Sequence, residues 1–480
     1  MVSYMIQNKN LEKFRHIFRA YDVRGKYSTE ITPDIHFRIG IAFGAFISNK
    51  GIRKREDFVY VSYDVRRTSS MLASAFIAGL MSTGINVEYS GTPMQFGACL
   101  FSAWRQGAYA TAYVTASHLP PEWNGIKFYY GNGVGFSEED NIKIRDIFLM
   151  NNLSHKMVSW ESTGKVIIRN LEQEYIKYLS GFFNKIKPLK IVLDCGNGSS
   201  CLSAPAMLRE IGLDVINLYC DVDPTFPNRP SEPNESSLNS LAVKVKETSA
   251  DFGVGFDGDG DRAVVVDDLG RVIQSDLTGL ILAQYMLKKT PNLNRVIINV
   301  ECSIVIEKEL LGRGAIVDRI QVGHTFLTAA AQSHPDTLIG IESSGHMVFP
   351  GIYLFDDAMI IPLMIAEVLT FQKASLSSIV DQLPKLSTSK IAVPAPDLVK
   401  FDVIDGLLGR LRKEYPKIND IDGIGISLDE DSWVLIRASN TSPKIRIIAE
   451  GTSESQVQEI IQSFKDILVK EIQRTSRREH

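Results

Sequence analysis

The sequence predicts an α/β protein: three consecutive mixed, mostly parallel α/β domains, then a C-terminal antiparallel α+β domain. Three observations carry that prediction. A strand, loop and helix succession appears three times before residue 387, and parallel neighbours need crossover connections of this kind. Beyond Ser387 the order changes to closely spaced strands between helices, with connections too short for a crossover. A chain of 480 residues with 44% hydrophobic content exceeds what one core usually supports, which divides it into several units.

The elements follow in order. Phe58 to Tyr63 is rich in β-branched and aromatic residues and runs into Asp64; Ser69 to Thr83 is then apolar at helical spacing and halts at Gly84. Ile191-Val192-Leu193 leads through Asp194-Cys195-Gly196-Asn197-Gly198 to a helix near Leu202, and Arg295 to Val300 precedes the helical stretch Ile304 to Leu311. The apolar run Ala358 to Ala366 carries Pro362, stops at Glu367 and is far short of a bilayer span, so it reads as a buried helix. The last domain is predicted as a helix over 402–414, strands around Gly425, Val434 and Ile447, a helix over 455–472 and a frayed polar end. Domain boundaries are expected at 1–162, 163–271, 272–386 and 387–480. Functional residues are expected at the carboxyl ends of the strands.

Composition narrows the function class. The 52 basic and 56 acidic residues are mixed along the chain for a net charge of -4, which gives no whole-protein field for nucleic acid or membrane. Five cysteines with no C-x-x-C spacing suit reduced thiols in a cytoplasmic protein better than a disulfide frame or a zinc site. Lys9, Glu12, Lys13 and Arg15 leave no signal-peptide core at the start, and the chain is expected to be mature as written.

Four segments carry chemistry. Thr115-Ala116-Ser117-His118 follows the apolar run Ala110 to Val114 and precedes Pro120-Pro121, so the Ser117 hydroxyl sits where a strand ends and a rigid segment begins. A plain turn explains a serine there as well. Lys127, in Asn124-Gly125-Ile126-Lys127, shifts the reading toward chemistry, because it returns an ammonium suited to phosphate to the same loop. In Asp257-Gly258-Asp259-Gly260-Asp261-Arg262 three carboxylates stand at alternate positions and repel one another unless a cation or strong donors hold them. An EF-hand fails, since Arg262 stands where glycine is needed and Asp268 where a bidentate glutamate is needed. A hard cation such as Mg²⁺ fits, against the blander alternative of a solvated acidic turn. Arg437-Ala438-Ser439-Asn440-Thr441-Ser442-Pro443-Lys444 gathers a guanidinium, hydroxyls and an amide as an anion cradle, or as a polar hairpin loop. Glu342-Ser343-Ser344-Gly345-His346 follows the strand Leu338 to Ile341 and reads as a binder of adjacent sugar hydroxyls, or as a helix cap. Gly131, Gly133 and Gly135 are too closely spaced for a dinucleotide fingerprint and read as a turn. A hydroxyl to carry phosphate and a cation to neutralise it are the parts that phosphoryl transfer needs.

In this order the four segments resemble the α-D-phosphohexomutases along essentially the whole chain. Phe18-Arg19-Ala20-Tyr21-Asp22-Val23-Arg24-Gly25 and Arg437-x-Ser439-Asn440-Thr441-x-Pro443 look most like the phosphomannomutase/phosphoglucomutase branch. The resemblance implies a mutase that interconverts hexose 1-phosphate and hexose 6-phosphate, of mannose or glucose, with small-molecule hexose phosphates as its partners. It further implies a phosphoserine at Ser117, Mg²⁺ held by Asp257, Asp259 and Asp261 with that phosphate, and a hexose 1,6-bisphosphate as intermediate and activator. Glu342 and Ser344 would bind sugar hydroxyls, with Tyr21, Arg262 and His346 also lining the substrate. Arg437, Ser439, Asn440 and Thr441 would grip the phosphate that is not being transferred. Arg24, Lys127 and His324 would surround the reacting oxygen, His324 as the proton-transfer residue and His118 as a neighbour orienting the serine loop. The alternatives are a phosphoglucosamine mutase and a catalytically weakened sugar-phosphate binding protein.

Four positions depart from the family pattern. Leu119 stands where the serine loop normally has asparagine, which removes a polar contact, and Trp123 replaces the commoner tyrosine. Glu301 stands where close relatives often carry lysine; it either points away or changes the specificity, since a negative charge there disfavours phosphate. Ile341 replaces a glycine before Glu342 and is expected to narrow the approach to the sugar.

Overall fold

One strand order repeats three times. The computed structural model describes residues 11–51, 57–183, 185–396, 398–415, 417–439 and 443–476. In the first sheet Phe58–Tyr63 lies between two parallel neighbours, Asn86–Tyr89 and Ala110–Val114, and the latter turns back as the antiparallel strand Trp123–Tyr130. In the second, Lys190–Asp194 lies between Asp214–Leu218 and Phe252–Phe256, and the latter turns back as Ala263–Asp267. In the third, Arg295–Asn299 lies between Ile316–Ile320 and Thr337–Ile341, and the latter turns back as Met347–Val348. The first sheet gains two more strands, Asp22–Lys26 against Trp123–Tyr130 and Val166–Ile168 beside Asn86–Tyr89. That last strand carries the first sheet beyond residue 162.

The C-terminal sheet has five strands, all antiparallel, and its centre is the pair Trp433–Ala438 and Lys444–Gly451. The serine, aspartate, sugar and anion segments therefore share one topological place. Each joins a strand to the antiparallel strand that follows it. In the three α/β units this is the carboxyl end of the third parallel strand, which sharpens the expectation from sequence.

Packing fixes how these loops converge. The helices Pro33–Asn49 and Ser69–Met81 cross closely because two glycines face the opposing backbone: a Cβ on Gly79 would fall 2.0 Å from Phe37 O, and one on Gly40 2.2 Å from Phe76 O. Beside a separate core of the first unit around Phe43, Phe76 and Phe128, one apolar cluster runs through the first three units and joins Phe101 and Tyr113 to Leu193 and Val254, and these to Val296 and Ile360. Interiors packed in this way resist relative displacement. The C-terminal unit has its own core around Val434, Ile447 and Phe464. A small cluster of Val300, Trp433, Leu435 and Ile448 bridges it to the third unit.

The helix Ile360–Gln372 is buried as expected, with Pro362 in its first turn, where a missing N–H costs no internal hydrogen bond. The last helix spans Glu454–Ser476, beyond the predicted end at 472, and the helix predicted over 402–414 spans Lys400–Leu411. Among the described residues no helix is long and apolar enough to cross a membrane.

Candidate active site

Ser117 is buried and holds a left-handed backbone, φ 50°, which a non-glycine residue adopts only when its surroundings enforce it. The enforcement comes from Arg66, two residues beyond Asp64 at the end of the neighbouring strand. Its guanidinium donates to four backbone carbonyls of the loop, Ser117 O at 2.7 Å, Leu119 O at 2.6 Å, Pro120 O at 2.6 Å and Trp123 O at 3.3 Å. Nε of Arg66 donates to Asp64 Oδ2 at 3.0 Å, and Thr115 Oγ1 donates to the same oxygen at 2.7 Å and accepts the Ser117 N–H at 2.8 Å. Ser231 ties down the other side of the loop, donating to His118 O at 2.6 Å and Leu119 O at 3.0 Å. The loop thus keeps its shape through backbone groups despite the lost side-chain amide at Leu119.

The aspartate loop closes on the serine. Ser117 Oγ donates to Asp257 Oδ2 at 3.1 Å, and a Cβ on Gly258 would fall 2.5 Å from Ser117 O, so only glycine allows this approach. Asp257 Oδ1 accepts the N–H groups of Gly260, Asp261 and Arg262 at 3.0, 3.1 and 3.2 Å, which turns the loop back on itself. Oxygens of Asp257, Asp259 and Asp261 lie within 4.8 Å of one another, all buried. Lys127 is buried too; its Nζ donates to Asp259 Oδ2 at 2.9 Å and to Asp261. Burial opposes its charge, but those carboxylates outweigh that and raise its pKa. The lysine leaves a deficit: Asp259 Oδ1 and Asp261 Oδ1 are buried without a hydrogen-bond partner among the described residues. Burial and the charges of Asp261 and Asp259 push the Asp257 carboxyl well above its usual range. Three hard oxygen donors with orphaned atoms fit a divalent cation such as Mg²⁺.

The histidines around this centre separate by charge. His118 Nδ1 stands 3.4 Å from Ser117 Oγ; burial, with Arg262 and Arg24 nearby, holds it well below its usual pKa. Burial likewise pushes His324 down to about 4, and its Nε2 meets Tyr129 Oη at 3.0 Å. Burial opposes charge on His346 too, but Asp261 and Asp356 outweigh it and lift it to about 9, with Nδ1 2.7 Å from Asp356 Oδ2. Two histidines 5.3 Å apart between ring centres are thus shifted in opposite directions. Arg24 Nε donates to Asp22 Oδ2 at 2.7 Å, and Arg262 Nε approaches Asp257 Oδ2 at 3.3 Å.

On the sugar side, Glu342 Oε1 accepts the Gly323 N–H at 2.6 Å and Oε2 accepts from Ser344 Oγ at 3.0 Å. Tyr21 reaches over from the first unit and donates to Val322 O at 2.6 Å. Ile341 does not narrow this loop. Its side chain faces Gly279 on the helix Ser275–Lys289, where an added Cβ would fall 2.6 Å from Ile341 Cγ2. The larger residue has its space opposite a glycine.

Glu301 does not point away. Its Oε1 accepts from Arg437 at 2.9 Å and lies 3.6 Å from Arg446, and Ser343 donates to its Oε2 at 3.4 Å. Arg437 and Arg446 are register partners on adjacent strands, so one carboxylate meets both guanidinium groups. Burial works to raise the Glu301 carboxyl, but Arg437, Lys390 and Arg446 outweigh it and hold it below its usual range. Asp422, which sequence reading missed, takes Arg437 Nε at 3.2 Å and the Val322 N–H at 3.0 Å. Ser439 is buried, its carbonyl accepting from Lys400 at 2.6 Å. Asn440 and Thr441 lie outside the described residues.

Comparison with known proteins matches this architecture unit by unit. The profiles described as Phosphoglucomutase/phosphomannomutase, alpha/beta/alpha domains I, II and III, match residues 15–154, 173–270 and 274–386, and the profile of the C-terminal domain matches 391–467. The chain is 33% identical to a phosphoglucomutase/phosphomannomutase of Thermococcus kodakarensis, over 93% of this chain and 97% of that one. It is 31% identical to a probable phosphoglucosamine mutase of Methanopyrus kandleri, over 94% and 97%. Among solved structures, a phosphoglucomutase/phosphomannomutase family protein of Burkholderia thailandensis superposes with TM-score 0.84 at 25% identity, covering 95% of this chain and 98% of that one. The fold is shared, with TM-score 0.61 and 15% identity over 97% and 100%, by an Aspergillus fumigatus N-acetylphosphoglucosamine mutase solved with GlcNAc-6P and magnesium. A serine hydroxyl against a carboxylate nest, the four loops at one topological place and these matches agree: the chain belongs to the phosphoglucomutase/phosphomannomutase family of the α-D-phosphohexomutases and is a phosphohexomutase.

Proposed function

We propose that the protein interconverts the 1- and 6-phosphates of mannose and glucose through a phosphoserine at Ser117. The observation that carries this reading is the position of Ser117 Oγ, 3.1 Å from Asp257 Oδ2 on a backbone held at positive φ. Phosphate moves from Ser117 to the free hydroxyl of a hexose monophosphate, giving a hexose 1,6-bisphosphate. The bisphosphate turns end for end and its other phosphate returns to Ser117. Asp257, Asp259 and Asp261 would hold Mg²⁺, which when bound neutralises charge on the transferring phosphate. Lys127 and Arg24 flank the reacting oxygen, and Arg262, which also braces the aspartate loop through Asp257, lines the substrate. His324 is the proton-transfer residue, with its basicity lowered by burial, and His118 orients the serine loop.

Glu342 and Ser344 bind sugar hydroxyls beside Tyr21 and His346. Arg437 and Ser439, with Asn440 and Thr441, hold the phosphate that is not reacting. The four units, the first extended past residue 162 by Val166–Ile168, carry one loop each. The last closes over the ligand, a motion supported by its own separate core and the small cluster that joins it to the third unit. Five cysteines with no C-x-x-C spacing support a cytoplasmic setting.

One observation favours a second reading, a 2-amino sugar phosphate. Glu301 places a carboxylate against both the cradle arginine and the sugar loop, where an ammonium at C2 is a better partner than a hydroxyl. Turnover of glucose, mannose and glucosamine 1-phosphates side by side, with bisphosphate activator, decides. Comparable turnover of the two neutral sugars supports the first reading. Turnover of the amino sugar alone replaces it with the second.

A further inference from the structure

Two thiols meet beneath the aspartate loop, outside the site described above. Cys195 follows the strand Lys190–Asp194 and Cys220 lies just beyond Asp214–Leu218, parallel neighbours with Asp194 opposite Leu218. The strand ends bring Cys220 Sγ to 3.3 Å from Cys195 Sγ. Cys195 is wholly buried and Cys220 is partly exposed. The Cys195 thiol beside it holds Cys220 below the usual thiol range, while burial pushes Cys195 well above it. The less buried sulfur is the one whose thiol is lowered, and the wholly buried one lies behind it.

The loop that Cys195 opens supports the aspartate loop directly. Ser199 N donates to Gly258 O at 2.9 Å, and Ser199 Oγ accepts the Val65 N–H at 3.3 Å. A Cβ on Gly198 would fall 2.7 Å from Gly258 O, so there is no slack between the two loops. Asp194, just before Cys195, binds Arg229 Nε at 2.9 Å, and Nη2 of that arginine donates to Phe256 O at 2.6 Å, one residue ahead of Asp257.

We propose that Cys195 and Cys220 form a reversible disulfide that deforms the 195–200 loop and lowers turnover. The sulfurs stand 3.3 Å apart and a disulfide is about 2.05 Å long, so closing it draws them together by about 1.2 Å. The oxidant is a low-molecular-weight disulfide. The Cys220 thiolate attacks one of its sulfurs and expels a thiolate; Cys195, losing its proton, attacks Cys220 Sγ in the mixed disulfide and expels the second. Two protein thiols are oxidised and one external disulfide is reduced to two thiols.

The test treats the folded, reduced protein with glutathione disulfide. It follows intact mass, non-reducing peptide maps and turnover of the best of the glucose, mannose and glucosamine 1-phosphates. The expected result is loss of two hydrogens, a Cys195–Cys220 crosslink and a turnover loss of up to about a hundredfold, the scale on which ångström displacements cost rate, reversed by dithiothreitol. Cys220→Ser, at a partly exposed position, should abolish both crosslink and loss, while Cys201→Ser, which removes the other thiol beside Cys195, should keep both. Hydrogen exchange over residues 195–201 and 257–262 should change with the crosslink, whatever the substrate. A glutathione adduct without crosslink, a crosslink through Cys201, or a Cys195–Cys220 crosslink that leaves turnover and exchange unchanged each overturns the proposal.

Discussion

Replacing Glu301 by glutamine should tighten binding of the substrate phosphate. In the structure Arg437 is engaged on both sides, by Glu301 at 2.9 Å and by Asp422 at 3.2 Å, and its guanidinium is buried. A phosphate that takes Arg437 must displace the carboxylate. A charge-assisted hydrogen bond contributes about 1.5 to 3 kcal/mol and a neutral one about 0.5 to 1.5. Glutamine therefore lowers the competition by about 1 to 1.5 kcal/mol, roughly a five- to thirteenfold fall in KM. Because Asp422 still holds Arg437 in place, kcat should not rise. The assay is initial-rate kinetics with glucose 1-phosphate and mannose 1-phosphate for wild type, Glu301→Gln, Arg437→Ala and the double variant. In the Arg437→Ala background, where only the longer contact with Arg446 at 3.6 Å is left to compete for, Glu301→Gln should change KM much less. If Glu301→Gln raises KM, the carboxylate orients Arg437 for phosphate, and the competition argument fails.

Other outcomes follow from the same contacts. Asp259→Asn should cut turnover sharply with the fold intact, because it removes charge from the carboxylate nest but little volume; turnover that persists in excess chelator removes the metal from the account. Arg66→Ala should cost about 3 to 5 kcal/mol in urea unfolding, since it strands the buried Asp64 carboxylate, and should lower turnover by freeing four carbonyls of the serine loop; a stability change under 1 kcal/mol (about the scatter of surface sites) refutes it. Burial pushes His36 down to about 4, below its unfolded value, so its stabilising contribution is present above pH 6.5 and fades as pH falls toward 4. His36→Asn should therefore reduce the stability lost between pH 7 and pH 5 by about 2 kcal/mol, measured by urea unfolding at both pH values; an unchanged difference means that His36 is protonated in the fold.

The parts of the site legible in the sequence are those whose spacing is local. Asp257, Asp259 and Asp261 announce a cation because three carboxylates within five residues have few other stable arrangements, and Ser117 and Lys127 flank one turn. Arg66, Ser231 and Asp422 were missed because their partners are remote in sequence: Arg66 acts on carbonyls about fifty residues on, and Asp422 on Val322. The Asp64-Val65-Arg66 step at a strand end was the available signal for the first. Glu301 was visible as a departure, but its direction depended on where Arg437 would fall. Alternation of strands and helices gave the class of the fold. The hairpin that places each loop was harder to read, since Met347–Val348 is too short to show a pattern. The shared core of the first three units appears only once the helix Phe96–Gln106 is packed against its neighbours.

The central claim is that Ser117 carries the phosphate in transit. Incubating the protein briefly with phosphorus-labelled glucose 1-phosphate and mapping the label by peptide mass spectrometry tests it most directly. The account predicts label on Ser117 that chases onto unlabelled sugar at least as fast as the mutase turns over, and no turnover in Ser117→Ala. Full mutase activity with no label on Ser117, or turnover retained by Ser117→Ala, would contradict it.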